Sequence, residues 1–147
     1  MFHLSTKLRY GIRALVELAR RSGKKPVSLV TLSSGQDISQ KYLESIFRGF
    51  QKAGITRSVR GPKGGYLLNT DPDKLTVMEI MKALEGPLDI IDCLHDTSVC
   101  GKTVRCCSRK LWGDLETCIS GFLESRTLKD LIEDYECAKN NFRAMNI

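Results

Sequence analysis

Three cysteines, Cys93, Cys100 and Cys106, are separated by six and then five residues in a polar stretch, and Cys107 follows directly. Thiolates are soft ligands for zinc or iron-sulfur clusters, and they bind as the metal displaces their protons. A polar segment broken by Gly101 is able to wrap one small cluster, so ligation by Cys93, Cys100 and Cys106 is the leading reading. A structural zinc site commonly uses two pairs of cysteines two to four residues apart, which these spacings fit poorly. Cofactor-free thiols that respond by oxidation remain an alternative. Cys93 and His95 as nucleophile and base give a remote enzyme reading, since no oxyanion or substrate motif accompanies them. Cys118 falls on an apolar helical stripe and reads as a buried small hydrophobe, and Cys137 has no assigned place.

The second chemical feature is charge. Up to Tyr66 the chain carries 13 Lys/Arg against 3 Asp/Glu, and beyond it 10 against 14, so the overall +6 conceals a basic first half and an acidic second half. A whole basic half suits a polyanion, which places recognition N-terminally. No stretch approaches the roughly 18 uncharged apolar residues of a membrane span, and the N-terminus lacks the pattern of a signal peptide. The expectation is a cytoplasmic protein without membrane association. In a reducing cytosol its six cysteines favour thiols, metal ligands or redox centres over disulfides. With 147 residues, 41% of them hydrophobic, the chain suffices for one typical domain, or a small domain with an appended helix.

The elements that must position these groups follow from periodicity and caps. Ser5 caps a helix along Leu8, Ile12, Leu15, Val16 and Ala19, ending near Ser22-Gly23. Ser28 caps a short second helix that stops at Gly35, where a left-handed residue is expected. Ser39 opens a third, with Leu43, Ile46, Phe47 and Phe50 as its buried stripe and Ala53-Gly54 as its end. Two helices across a tight polar turn make a helix-turn-helix. Thr56 to Val59 and Tyr66 to Leu68 read as strands joined by the glycine-rich hairpin Gly61-Pro62-Lys63-Gly64-Gly65, which is a wing. Thr76 and Glu79 form a capping box for a fourth helix ending at Gly86-Pro87. Beyond the cysteine loop, Leu111, Leu115, Cys118, Ile119 and Phe122 mark a long amphipathic helix that needs a partner, and Thr127 and Asp130 open a last helix. The expected division is 1–86 for DNA binding, 87–110 for the cofactor loop and 111–147 for dimerisation and the C-terminal helix.

In a helix-turn-helix the start of the second helix meets base edges in the major groove. The exposed positions expected there are Ser39, Gln40, Lys41, Tyr42 and Glu44. Lys41 can donate to guanine or phosphate, Ser39 and Tyr42 to bases or backbone, and Glu44 can accept from cytosine N4. At the wing, Arg60 suits a narrow minor groove and Lys63 a phosphate. The glycine run lacks the Gly-Lys-Ser/Thr ending of a nucleotide-binding loop.

The segments Leu4 to Gly11, Ile38 to Glu44 and Val59 to Leu68, with the cysteine loop and Leu111-Trp112, resemble the IscR-like (Rrf) family of winged-helix iron-sulfur regulators over most of the chain. The resemblance implies a homodimer on a pseudo-palindromic double-stranded DNA operator, with Ser39, Lys41, Tyr42, Glu44 and Arg60 at DNA. The acidic residue matching Glu44 influences operator choice with and without cluster in such relatives. Two departures concern the fourth ligand. Where relatives often carry His three residues after the third cysteine, this chain has Arg109, which stays protonated and cannot ligate. Where others supply an acid from the partner's first helix, it has Arg9. Cys107 leads as replacement, with His95, His3 and an exogenous thiol behind it. The combined expectation is a mainly α winged helix-turn-helix regulator with a two-stranded β wing and a long dimerisation helix, sensing cluster or redox status through an iron-sulfur cluster of the [2Fe-2S] type.

Overall fold

The computed structural model describes residues 4–23 and 25–145. Eight elements follow in order: α1 (Thr6–Arg21), α2 (Leu29–Ser34), α3 (Gln40–Lys52), β1 (Thr56–Val59), β2 (Gly65–Leu68), α4 (Val77–Glu85), α5 (Arg109–Ser125) and α6 (Leu128–Met145). Between α4 and α5 lie three single turns of 3-10 helix at Asp92–Leu94, Thr97–Val99 and Thr103–Arg105. The expected winged helix-turn-helix with its two-stranded wing and long following helix is what the chain forms.

The caps act as the sequence predicts. Ser5, Ser28, Ser39 and Thr76 each accept a hydrogen bond from a first-turn amide, satisfying donors that a helix start leaves free. The Thr76 amide in turn donates to the Glu79 carboxylate at 2.8 Å, completing the capping box. Thr127 and Asp130 form the same reciprocal pair at α6. Lys7 Nζ donates to the Leu84 carbonyl at 2.6 Å, placing a cation at the α4 C-terminus, where the helix dipole favours it.

The core lies among α1 to α4. Leu15 and Leu18 of α1, Leu32 of α2, Leu43, Ile46, Phe47 and Phe50 of α3 and Ile80 of α4 are fully buried. The apolar period of about 3.6 residues aims each stripe at one centre. The wing is antiparallel, with Thr56 opposite Leu68 and Val59 opposite Gly65. It is fastened to the segment before α2 by reciprocal Val27 and Tyr66 backbone bonds of 2.9 and 2.8 Å, and Tyr66 packs on Phe47 with ring centroids 4.6 Å apart.

One turn differs from expectation. Gly35 is right-handed at φ −86°, and the left-handed residue is Asp37 at φ 53°. The chain continues past Gly35 through further turn residues before Ser39, and a short acidic side chain tolerates that region.

Past the cysteine segment, α5 buries none of its residues in its own chain. The chain then returns: Val77 donates to Arg126 O and Leu128 to Leu75 O, both at 2.8 Å, and Leu128 is fully buried. α6 runs back to α1, where Arg20 Nε bonds Glu136 at 2.5 Å and the Arg20 guanidinium lies 4.1 Å from the Tyr135 ring centroid. No described helix is long and apolar enough to cross a membrane.

Gly65 sets the wing's attachment. Its φ is 153°, and a Cβ there would collide with the Val27 carbonyl group, which is backbone and cannot swing aside. Gly65→Ala is expected to cost at least about 2 kcal/mol in urea unfolding, whereas Gly35→Ala, with open space around it and ordinary φ, should cost less than about 1 kcal/mol.

Candidate nucleic-acid interface and thiol segment

The reader is built from α3 and the wing. Ser39 caps α3, so its Oγ is engaged by the Tyr42 amide at 3.3 Å while its hydroxyl proton stays available. Gln40, Lys41 and Glu44 are exposed on the first turns. Glu44 pairs with Arg48 one turn on at 3.1 Å, with both side chains at least half exposed, a pair that is weak enough to open. Tyr42 departs from expectation. It is half-buried and meets Tyr10 of α1 edge to face at 6.2 Å between centroids. Its ring therefore fixes α3 against α1 through an aromatic contact. Burial first, and then the Glu44 carboxylate, raise the Tyr66 phenol, with Arg48 opposing.

On the wing Arg60, Gly61, Pro62 and Lys63 are all exposed, and Gly64 donates to Gly61 O at 2.9 Å to close the tip. Gly61 has φ 117°, a conformation open to glycine at little cost. Lys63 also borders a cleft of about 510 Å³ with Arg21, Ser28 and Thr31. None of those three was singled out for DNA contact in the sequence, where Ser28 was read as a cap, although Arg21 at the end of α1 is the signal that a cationic surface begins there.

In the second site the four loop thiols are free; Cys93 and Cys106 are half-buried, and Cys100 and Cys107 exposed. The segment has more order than a flexible polar loop. Thr103 is buried, and its hydroxyl donates to the Cys100 carbonyl and lies 3.2 Å from the Thr97 carbonyl. Cys106 Sγ is 3.3 Å from Ser108 Oγ. The Ser108 hydroxyl foremost, then the Ser108 and Arg109 amides, hold the Cys106 thiol below the ordinary range. Cys106 and Cys107 share the wall of one cleft of about 670 Å³ with Gly101, the residue after Cys100.

Arg109 opens α5 and donates to the Leu94 carbonyl at 3.1 Å, so the residue at the histidine position ties the segment's start to its end. His95 Nε2 faces Glu116 Oε1 at 2.9 Å and Asp89 Oδ1 at 3.8 Å. Among the described residues this is the set of three possible metal-ligand atoms lying within 4.8 Å of one another; no three thiols do so. His3 lies outside the described residues. Cys118 is exposed, which corrects the buried reading: α5 packs on α4 through its other side, with Leu123 against the core, and turns the stripe that carries Cys118 outward. Leu111, Leu115 and Phe122 on the same helix are 58%, 40% and 65% exposed.

The sequence profile of the Rrf2 family, described as iron-dependent transcriptional regulators, matches residues 4–134. This chain belongs to the Rrf2 family. The HTH-type transcriptional regulator IscR of Photobacterium profundum is 40% identical over 131 residues, covering 89% of this chain and 76% of that protein. CymR of Bacillus subtilis, also an HTH-type transcriptional regulator, is 35% identical over 128 residues, 87% of this chain and 88% of its own. Among solved structures, T. potens IscR superposes with a TM-score of 0.73 at 36% identity over 93% of this chain and 90% of that one. The Rrf2 chain is accordingly a DNA-binding transcriptional regulator and not an enzyme.

A lowered thiol exposes more thiolate at neutral pH, and thiolate is the alkylated form. Iodoacetamide at pH 7 should label Cys106 before Cys107, the lead shrinking above the ordinary thiol range and being reduced, though not abolished, in Ser108→Ala, which keeps the two amide donors. Peptide mass mapping over time measures it, and equal labelling in the unmodified protein would refute the assigned hydrogen bond.

Proposed function

We propose that this Rrf2 protein works in the cytoplasm as a homodimer on a pseudo-palindromic operator and adjusts its DNA binding to a cluster held by its cysteine segment. The observation carrying this reading is placement: Cys93, Cys100, Cys106 and Cys107 lie on the segment that joins the winged-helix core to amphipathic α5, whose Leu111, Leu115 and Phe122 are exposed. A ligand there touches both bodies. Because a ligand shifts a conformational equilibrium only through differential binding, a group bridging reader and dimer helix is well situated to act on half-site geometry.

The donor chemistry fits an iron-sulfur cluster at three positions and leaves the fourth to this chain's own solution. Cys93, Cys100 and Cys106 would hold it; Cys107, exposed and on the same cleft as Cys106, would be the fourth. A bound [2Fe-2S] group supplies one-electron redox chemistry and sensitivity to iron and oxidants. The residues themselves keep Cys106 easily deprotonated and hold the Cys100 carbonyl through Thr103. The apolar stripe of α5 supports dimerisation, since two copies can bury it in an isologous contact.

At DNA, Lys41, Ser39 and Glu44 would face the major groove, Arg60 a minor groove, and Lys63 a phosphate. Tyr42 would contribute its phenol edge while its ring braces α3. A second reading, a cofactor-free thiol regulator, is favoured by one observation: Arg109 occupies the expected histidine position and is committed to Leu94. Similarity to CymR is compatible with that reading.

Anaerobic purification followed by iron, sulfide and visible-absorption measurements separates the two. The cluster reading expects a brown protein that loses its colour in Cys93→Ala, Cys100→Ala, Cys106→Ala and Cys107→Ala but keeps it in Cys118→Ala and Cys137→Ala. A colourless protein with operator binding altered by thiol oxidation would select the second reading. For the reader, Arg60→Ala should weaken cognate binding by about 1 to 3 kcal/mol, while Lys63→Ala weakens all duplexes alike and flattens the salt dependence. Quantitative gel shifts at several salt concentrations distinguish the two defects, and unchanged cognate affinity in Arg60→Ala would remove Arg60 from the interface.

A further inference from the structure

His95 faces two carboxylates that come from different parts of the chain. Asp89 precedes the first 3-10 turn, His95 ends it, and Glu116 stands on α5. The three ligand atoms lie within 4.8 Å of one another, with Nε2 at 2.9 Å from Glu116 Oε1 and 3.8 Å from Asp89 Oδ1. Neighbouring ligands bound about 2.1 Å from one ion sit about 3 Å apart, so the first separation already matches and the second closes with a small movement of an exposed side chain.

The surroundings hold this geometry. Glu116 is only 16% exposed, and its other oxygen accepts from the Ile90 amide at 3.3 Å. That bond orients the carboxylate as outer-shell partners orient metal ligands. The His95 amide donates to Asp92 O at 3.1 Å, and Arg109 pins the preceding Leu94 carbonyl to α5. Among the described residues, neither carboxylate has a lysine or arginine within ion-pair distance; each has His95 alone. An imidazole cannot neutralise two carboxylates, whereas one divalent cation does.

We propose that Asp89, His95 and Glu116 bind a divalent first-row transition ion, at a site separate from the thiols and independent of whether those thiols hold a cluster. One imidazole and two carboxylates form a nitrogen and oxygen set suited to manganese, ferrous iron or zinc, unlike the soft sulfur set nearby. Asp89 and His95 are 44% and 52% exposed, leaving room for water to complete the coordination. Because Glu116 belongs to α5 and the other two to the segment leaving α4, a bound ion links the dimer helix to the start of the cysteine segment.

Manganese is the probe, since thiolates bind it weakly. Full-length protein, with its thiols blocked by N-ethylmaleimide, is titrated with Mn²⁺ while electron paramagnetic resonance counts the free ion. The expected result is one Mn²⁺ bound per chain, with affinity reduced at least about tenfold in His95→Asn and in Glu116→Gln. Electron spin-echo modulation of the bound ion should carry an imidazole nitrogen coupling that His95→Asn abolishes. The coupling is read in the unmodified sequence, so it decides the matter even where a variant folds poorly. No saturable binding, binding without nitrogen coupling, or binding undiminished in folded variants would each overturn the site. A colour change on reconstitution does not bear on it, so the cluster reading can fail while this one stands.

Discussion

Two backbone hydrogen bonds, Val77 to Arg126 and Leu128 to Leu75, help hold the arm formed by the cysteine segment, α5 and α6 to the α1–α4 core. They pair the residues flanking the starts of α4 and α6, both of which are locked by reciprocal caps at Thr76 and Thr127. The arm thus leaves at the end of α4 and comes back at its beginning, and α5 is presented outside the core without losing its anchorage. Arg20, bonded to Glu136 and stacked on Tyr135, ties the middle of the returning helix to α1. A buried Glu17 accepts from both Arg20 and Arg21, so this contact is charge-compensated on the α1 side.

That arrangement gives the thiol segment its leverage. It spans from α4, whose Ile80 and Leu84 are core residues, to α5, whose apolar face is bare in the single chain. Local order in the segment comes from backbone carbonyls captured by side chains, at Thr103 and at Arg109, instead of from a packed core. Such a segment opens at low free-energy cost while the helical core stays packed.

The reader is rigid for complementary reasons. α3 is braced on one side by Tyr42 against Tyr10 and on another by Phe47 against Tyr66, which itself joins the wing to the α2 entry. α3 and the wing are therefore packed together as one unit. Exposed Lys41, Arg60 and Lys63 add little to folding, and their like charges are tolerable because water and salt screen them.

Much of this was legible in the residues themselves. The winged helix-turn-helix, the caps at Ser5, Ser28, Ser39, Thr76 and Thr127, the glycine wing and the unpartnered stripe of α5 all rest on local rules: hydrogen bonding at helix ends, periodicity and glycine stereochemistry act between residues a few positions apart. The same rules misplaced the left-handed residue at Gly35 instead of Asp37, because the turn's length depends on where α3 docks. They also took Tyr42 for a free contact and Cys118 for a buried one, since exposure depends on what packs opposite, and only the tertiary structure decides that. The convergence of Asp89 and Glu116 on His95, and the commitment of Arg109 to Leu94, had no sequence signal at all. Each joins groups brought together by the course of the segment before α5, a long-range packing outcome that no spacing along the chain encodes.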